Sequence, residues 1–205
     1  MPACHCPEPT FDGTSGGFRR ALWIVIIINA GMFGVEMAAG ALAGSQALQA
    51  DALDFLGDTL TYAISIAVLG RSVRTRANVA LFKGVTLGAM GIWVLGSTAY
   101  QVLILGVPDA PIMGVIGIMA LVANLLSVAL LLRFRNGDAN VRSVWLCSRN
   151  DAIGNVAVIV AAVAVYSTGQ AWPDLIVAGF LATLFLRSSA LIVRQAAAER
   201  RYGLA

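Results

Sequence analysis

The sequence predicts an all-α membrane protein of six transmembrane helices, and three observations carry that prediction. Of its 205 residues, 59% are hydrophobic and only 12% charged, with a mean hydropathy of +0.81. A soluble domain of that composition would expose a very large apolar surface to water. Six apolar segments, each near the roughly 20 residues that a bilayer core about 30 Å thick demands, are divided by turns or charges. Basic residues fall only in alternate connections, an order that a wrong helix count would scramble.

The first span, 18–43, opens on Arg19 and Arg20 after a Gly-, Pro- and Ser-rich stretch without an apolar run. That stretch, 1–17, reads as a flexible cytoplasmic tail rather than a cleavable signal peptide. Gly44 and Ser45 turn the chain into the second span, 46–70, and Arg71, Arg74, Arg76 and Lys83 surround the start of the third, 79–105. Gly106 to Pro111 leads into the fourth span, 111–132, and Arg133, Arg135 and Arg142 lie between it and the fifth, 142–167. Ser167 to Pro173 leads into the sixth span, 172–193, after which Arg200 and Arg201 fall in a short tail, 196–205. The three connections without Lys or Arg face away from the cytoplasm by the positive-inside rule, so both termini are expected inside. Residues 18–195 then form one multi-pass domain of the cell's inner membrane.

Among the acids that fall within these spans are Glu36, Asp51, Asp54, Asp58 and Asp151. Each costs about 2.5 to 3.5 kcal/mol or more near a helix centre, which marks a functional group; helix-end snorkelling or interhelical hydrogen bonding is the alternative for Glu36 and Asp51. Asp51, Asp54 and Asp58 recur at i, i+3 and i+7, one stripe of a helix. Cys147, Asp151 and Asn155 recur at i, i+4 and i+8 on one face of the fifth. Two polar faces in one bundle seek each other. Two aspartates from one helix with an aspartate and a cysteine from another make a ligand set suited to a tetrahedral divalent ion. Protons and metal compete for such ligands, the chemical basis of antiport.

At these residues the sequence resembles the cation diffusion facilitator family of metal/proton antiporters. The likeness runs from Phe18 to Gln195: Asn29, Glu36 and Gly40 on the first helix, the run from Gly44 through Asp58, and the segment from Cys147 through Asn155. The resemblance implies efflux of a divalent transition metal, zinc first with cadmium or cobalt as alternatives, in exchange for protons. It places the metal on Asp54, Asp58, Cys147 and Asp151, with Asp51, Asn155, Glu36 and Asn29 in support. Cys147 stands where the family has His or Asp, and a thiolate favours thiophilic ions over Mn or Fe; the alternative is a small buried filler with another oxygen completing the site. A short form is expected, without the cytoplasmic metal-binding domain that many members carry. A homodimer would then form through the membrane helices, and Gly84, Gly88 and Gly91 offer a stripe for close packing.

One geometric requirement stands against easy convergence. The Asp54 and Asp58 pair lies roughly 22 Å along its helix from Arg71, but the Cys147 and Asp151 pair lies only roughly 10 Å from Arg142. The helices must be offset or tilted, and a fifth helix starting after Asp138 as N-cap closes half the gap.

Arg149 and Arg187 are expected as snorkelling or interhelical cations. The four Trp are expected at interfaces or in packing. Three Cys imply no disulfide framework. Cys4, His5 and Cys6 suit a metal-delivering or sensing tail, although three ligands so close in sequence do not easily complete one tetrahedron. No prosthetic group and no nucleic-acid partner are expected. A membrane metal sensor or accessory subunit is the second reading. An intramembrane aspartyl protease is disfavoured because Phe55 stands where the first Gly of its Gly-x-Gly-Asp segment belongs, and no Tyr-Asp pair occurs.

Overall fold

The computed structural model describes residues 16–67, 73–104, 106–134 and 139–202; within these, the backbone alone is described at 65, 73–77, 79, 102–104, 139–150, 195 and 199–202. Six helices follow in order: α1 (Gly16–Ala43), α2 (Gln46–Ala67), α3 (Val73–Ile104), α4 (Ala110–Leu131), α5 (Ala139–Thr168) and α6 (Trp172–Tyr202). A short 3-10 turn, Leu132–Phe134, extends α4. The chain is an all-α membrane protein. Its helices α3 and α6 outrun their apolar spans, because helix formers such as Ala, Arg and Glu continue the hydrogen-bond ladder into the polar zone. The helix α5 begins at Ala139, the start that the N-cap reading asks for; Asp138 itself lies outside the described residues.

Among the described residues, five stretches are long and apolar enough to cross a bilayer: Gly16–Ala43, Ala80–Gln101, Ala110–Phe134, Asp151–Thr168 and Trp172–Ala198. The helix α2 is not among them, since three aspartates lower its hydropathy. Lipid contact is not what holds it in place: among the described residues, α2 touches all five other helices. Around it, α1, α4 and α5 complete a four-helix group, while α3 packs chiefly on α6, and that pair leans on α2 and α5.

Alternate ends of the helices place the connections in two sets. One end of the bundle, the basic end, carries the starts of α1, α3 and α5 and the ends of α2, α4 and α6. The other, the turn end, carries the three short connections without Lys or Arg. At the turn end Gly44 takes φ +65°, a left-handed value that costs Gly nothing. Ser45 N–H then donates to Gly40 O at 2.9 Å and Gly44 N–H to Ala41 O at 3.4 Å, the paired bonds of a Schellman ending. At Gly40 α2 also comes close to α1. A Cβ there would lie 2.9 Å from Gln49 Cγ and 3.1 Å from Gln49 N.

Beyond the turn, Ser45 caps α2 by accepting from Leu48 N–H at 3.1 Å, and Asp109 caps α4 by accepting from Ile112 N–H at 3.0 Å. The connections are tied to one another. Asp109 N–H donates to Ala43 O at 2.9 Å, and the Gln101 side-chain amide donates to Gly44 O. Behind these ties lies the main apolar core, which includes Leu48, Leu53, Met113, Val158, Val165 and Phe185. A second cluster, with Phe18, Leu22, Val25, Tyr62 and Leu131, fills the space between α1, α2 and α4 nearer the basic end.

The glycine stripe on α3 meets α6 of the same chain, which corrects its reading as a surface free for a second copy. A Cβ at Gly84 would lie 2.8 Å from Val193 Cγ2, at Gly88 2.7 Å from Ser189 Oγ, and at Gly91 3.0 Å from Leu186 Cγ. Ser189 Oγ donates to Gly84 O at 2.7 Å, a contact that a bulkier α3 residue would prevent.

Candidate metal site

The acidic stripe of α2 faces inward, as a stripe of charges on a membrane helix must. Asp54 and Asp58 each lie within hydrogen-bonding reach of Asp151 on α5, so the two polar faces meet. Tyr62, one turn beyond Asp58, donates its hydroxyl to Asp58 Oδ2 at 2.5 Å and orients that carboxyl. Asn124, on the otherwise strongly apolar α4, closes the group from a third side: together with Asp51, Asp54, Phe55, Asp58 and Asp151 it surrounds a small gap.

Two of these partners were not anticipated from the sequence. Tyr62 carries a readable signal, its i+4 spacing from Asp58. Asn124 carries another, an isolated amide in an apolar span.

A cavity of about 340 Å³, whose lining does not include Asn124, lies between α2, α3, α5 and α6. Asp54, Asp58 and Asp151 stand in its wall, and Ile64, Lys83 and Ile192 carry it toward the basic end. Lys83 is close enough for its charge to act on Asp58. Toward the turn end the apolar core fills the bundle.

The supporting residues divide. Asn29, Glu36, Asp51 and Asn155 are all buried, at 0 to 2% exposure, yet none lines the cavity. The Glu36 carboxyl lies against that of Asp51. Asp51 sits in the wall of the small gap with Asp54. Cys147 lies on α5 one turn before Asp151, but its side chain is outside the described residues, as are those of Trp145 and Arg149. Cys4, His5 and Cys6 are outside them too. Among the described residues, no three His, Cys, Asp or Glu side chains already enclose a space that would hold an ion. The three aspartates supply oxygen ligands of the right kind for a divalent cation, and rotamer changes within reach of one another are what binding requires of them.

Asp174 was also missed as a buried group. Fully buried at the N-terminus of α6, it accepts from Ser45 Oγ at 2.6 Å, Gln46 N–H at 2.8 Å and Ala47 N–H at 3.1 Å. A carboxylate set against the free N–H groups at the start of α2 satisfies donors that would otherwise be orphaned.

Comparison with known proteins adds an independent observation. A family model described as the cation efflux transmembrane domain matches residues 22–199. The chain is 26% identical over 196 residues to the cation efflux system protein CzcD of Alcaligenes sp. (strain CT14), covering 87% of this chain and 62% of that protein. It is 26% identical over 171 residues to the metal cation efflux system protein CzcD of Cupriavidus metallidurans, covering 78% and 54% respectively. With the zinc transporter ZitB of Escherichia coli (strain K12) it shares 29% identity over 208 residues, covering 95% and 64%. The chain thus spans somewhat over half the length of these relatives.

Proposed function

The chain belongs to the cation efflux family, and from that premise we propose that it exports a divalent transition-metal ion, zinc first, in exchange for protons. The observation that carries this reading is the approach of Asp54 and Asp58 on α2 to Asp151 on α5 at the head of a cavity. Three carboxyl groups crowded in a low-dielectric bundle bind protons or a cation, and the two compete. The cavity supplies the route from the cytoplasm, the basic end being the cytoplasmic one by the positive-inside rule. Metal arriving there displaces protons from Asp54, Asp58 and Asp151, with Cys147 as the fourth ligand. Movement of the α3–α6 pair against the four-helix group then closes this route and opens the turn end. Protons from outside release the ion and return the carrier. Zinc, cadmium and cobalt suit a mixed carboxylate and thiolate set, and Cys147 tilts it toward the softer of them.

The test is metal-dependent proton release from vesicles reconstituted with purified protein. Asp58→Ala and Asp151→Ala are each expected to abolish both metal uptake and proton release. Full transport by either variant would rule out the site. Metal binding by the unaltered protein without flux would instead favour the metal-sensing subunit. The homodimer remains part of the proposal, with its contact on helix faces other than the glycine stripe.

A further inference from the structure

Beyond Asp54 and Asp151, one turn toward the turn end, α2 carries Asp51 and α5 carries Asn155. Where the first pair meets, helical geometry brings the next turn of each helix to the same level. On α1, the Glu36 carboxyl lies against Asp51. Glu36 and Asn155 are 0% exposed and Asp51 is 2% exposed. Apart from the contact of the Glu36 and Asp51 carboxyls with each other, neither Glu36 oxygen, nor Asp51 Oδ2, nor the oxygen or nitrogen of Asn155 has a hydrogen-bond partner among the described protein groups. Buried polar atoms are nearly always satisfied, so a group of them in one place marks a missing partner. Two adjoining carboxyl groups suit a cation as that partner.

We propose that Glu36, Asp51 and Asn155 form a second divalent-cation station, which receives the ion from the Asp54, Asp58 and Asp151 site on its way out. The inference rests on the transport reading and deepens it. The two sets differ in access. Asp54, Asp58 and Asp151 line the cavity that runs toward the basic end, whereas Glu36, Asp51 and Asn155 do not. Past this second set lies the apolar seal of the turn end, with Ala47, Leu48 and Val165. The station therefore stands between the cavity and that seal; Asp174, nearer the turn end, already has its oxygens filled by Ser45, Gln46 and Ala47. Its ligands are all oxygens, which hold a borderline ion such as zinc less firmly than a set containing thiolate, and that suits release. Asp51 borders the small gap together with Asp54 and so adjoins both sets.

The experiment counts cadmium ions bound per chain, by equilibrium dialysis and metal analysis, in full-length purified protein. Cys4→Ser and Cys6→Ser are present throughout so that tail thiols do not contribute. The expected count is two for this background, one after Glu36→Gln, and one after Asp58→Asn with Asp151→Asn. Asp51→Asn is the alternative to Glu36→Gln should that variant not be recovered folded, and the same loss of one ion is expected. A background count of one, kept in Glu36→Gln and lost in Asp58→Asn with Asp151→Asn, would overturn the second station and leave the transport site standing; the carboxyl pair would then share only a proton. One ion lost in Glu36→Gln but kept in the other variant would overturn both assignments.

Discussion

Asp174 and Asp58 are both buried aspartates, and their partners separate their roles. Asp174 has its oxygens filled by one hydroxyl and two backbone amides, so it holds structure. Asp174→Ala is expected to leave those donors unmatched and to cost about 3 kcal/mol, measured as a lower midpoint of thermal unfolding in detergent. Asp58 has a tyrosine on one oxygen and faces a cavity, so it remains available to a cation. Cys147→His is expected to retain zinc transport and to weaken cadmium relative to zinc, checked by growth of a transporter-deficient host across a metal panel. The acids at i, i+3 and i+7 were legible because a charge in an apolar span stands out. Asp174 was not, because an acid in the first turn of a helix looks like an ordinary interfacial residue until its neighbours from α2 are known.

Among the elements, α2 was predicted as a transmembrane span, although its own hydropathy does not make it one. It qualifies by position, since the five other helices shield its aspartates. The α3 stripe shows the opposite limit: glycine spacing announced a close approach, and only the fold says to what. Gly88→Leu is expected to force α6 away at Ser189 and destabilise the protein by about 1 to 3 kcal/mol, readable in the same thermal assay. Gly96→Leu, on the same helix with nothing within 4 Å of a Cβ, is expected to leave the midpoint unchanged. Boundaries were less legible than spans, for apolar content reports the bilayer while the backbone ladder of α3 and α6 runs on past it.

At the scale of the whole molecule, the described lining of the cavity extends from the three aspartates toward the basic end. Cysteines placed at Thr86 or Ile64, in its wall, are expected to react with a membrane-impermeant maleimide from the basic end. A cysteine at Val165, in the turn-end core, is expected to stay unlabelled in the same state. Labelling from oriented vesicles checks both. The helix order and the polarity of the two ends could be read from the pattern of Arg and Lys. The division into a four-helix group and a leaning pair could not, because sequence spacing says which face of a helix is polar or small but not which neighbour it finds.

The bond between Asp174 and Ser45 joins α6, the partner of α3, to the start of α2. Any swing of the peripheral pair must therefore drag the tip of the ligand-bearing helix or snap that latch. On the proposed transport reading, coupling between gate and cargo would in this way be mechanical as well as electrostatic, and a cross-link fixing residues 45 and 174 together distinguishes a carrier that works with the latch shut from one that stalls.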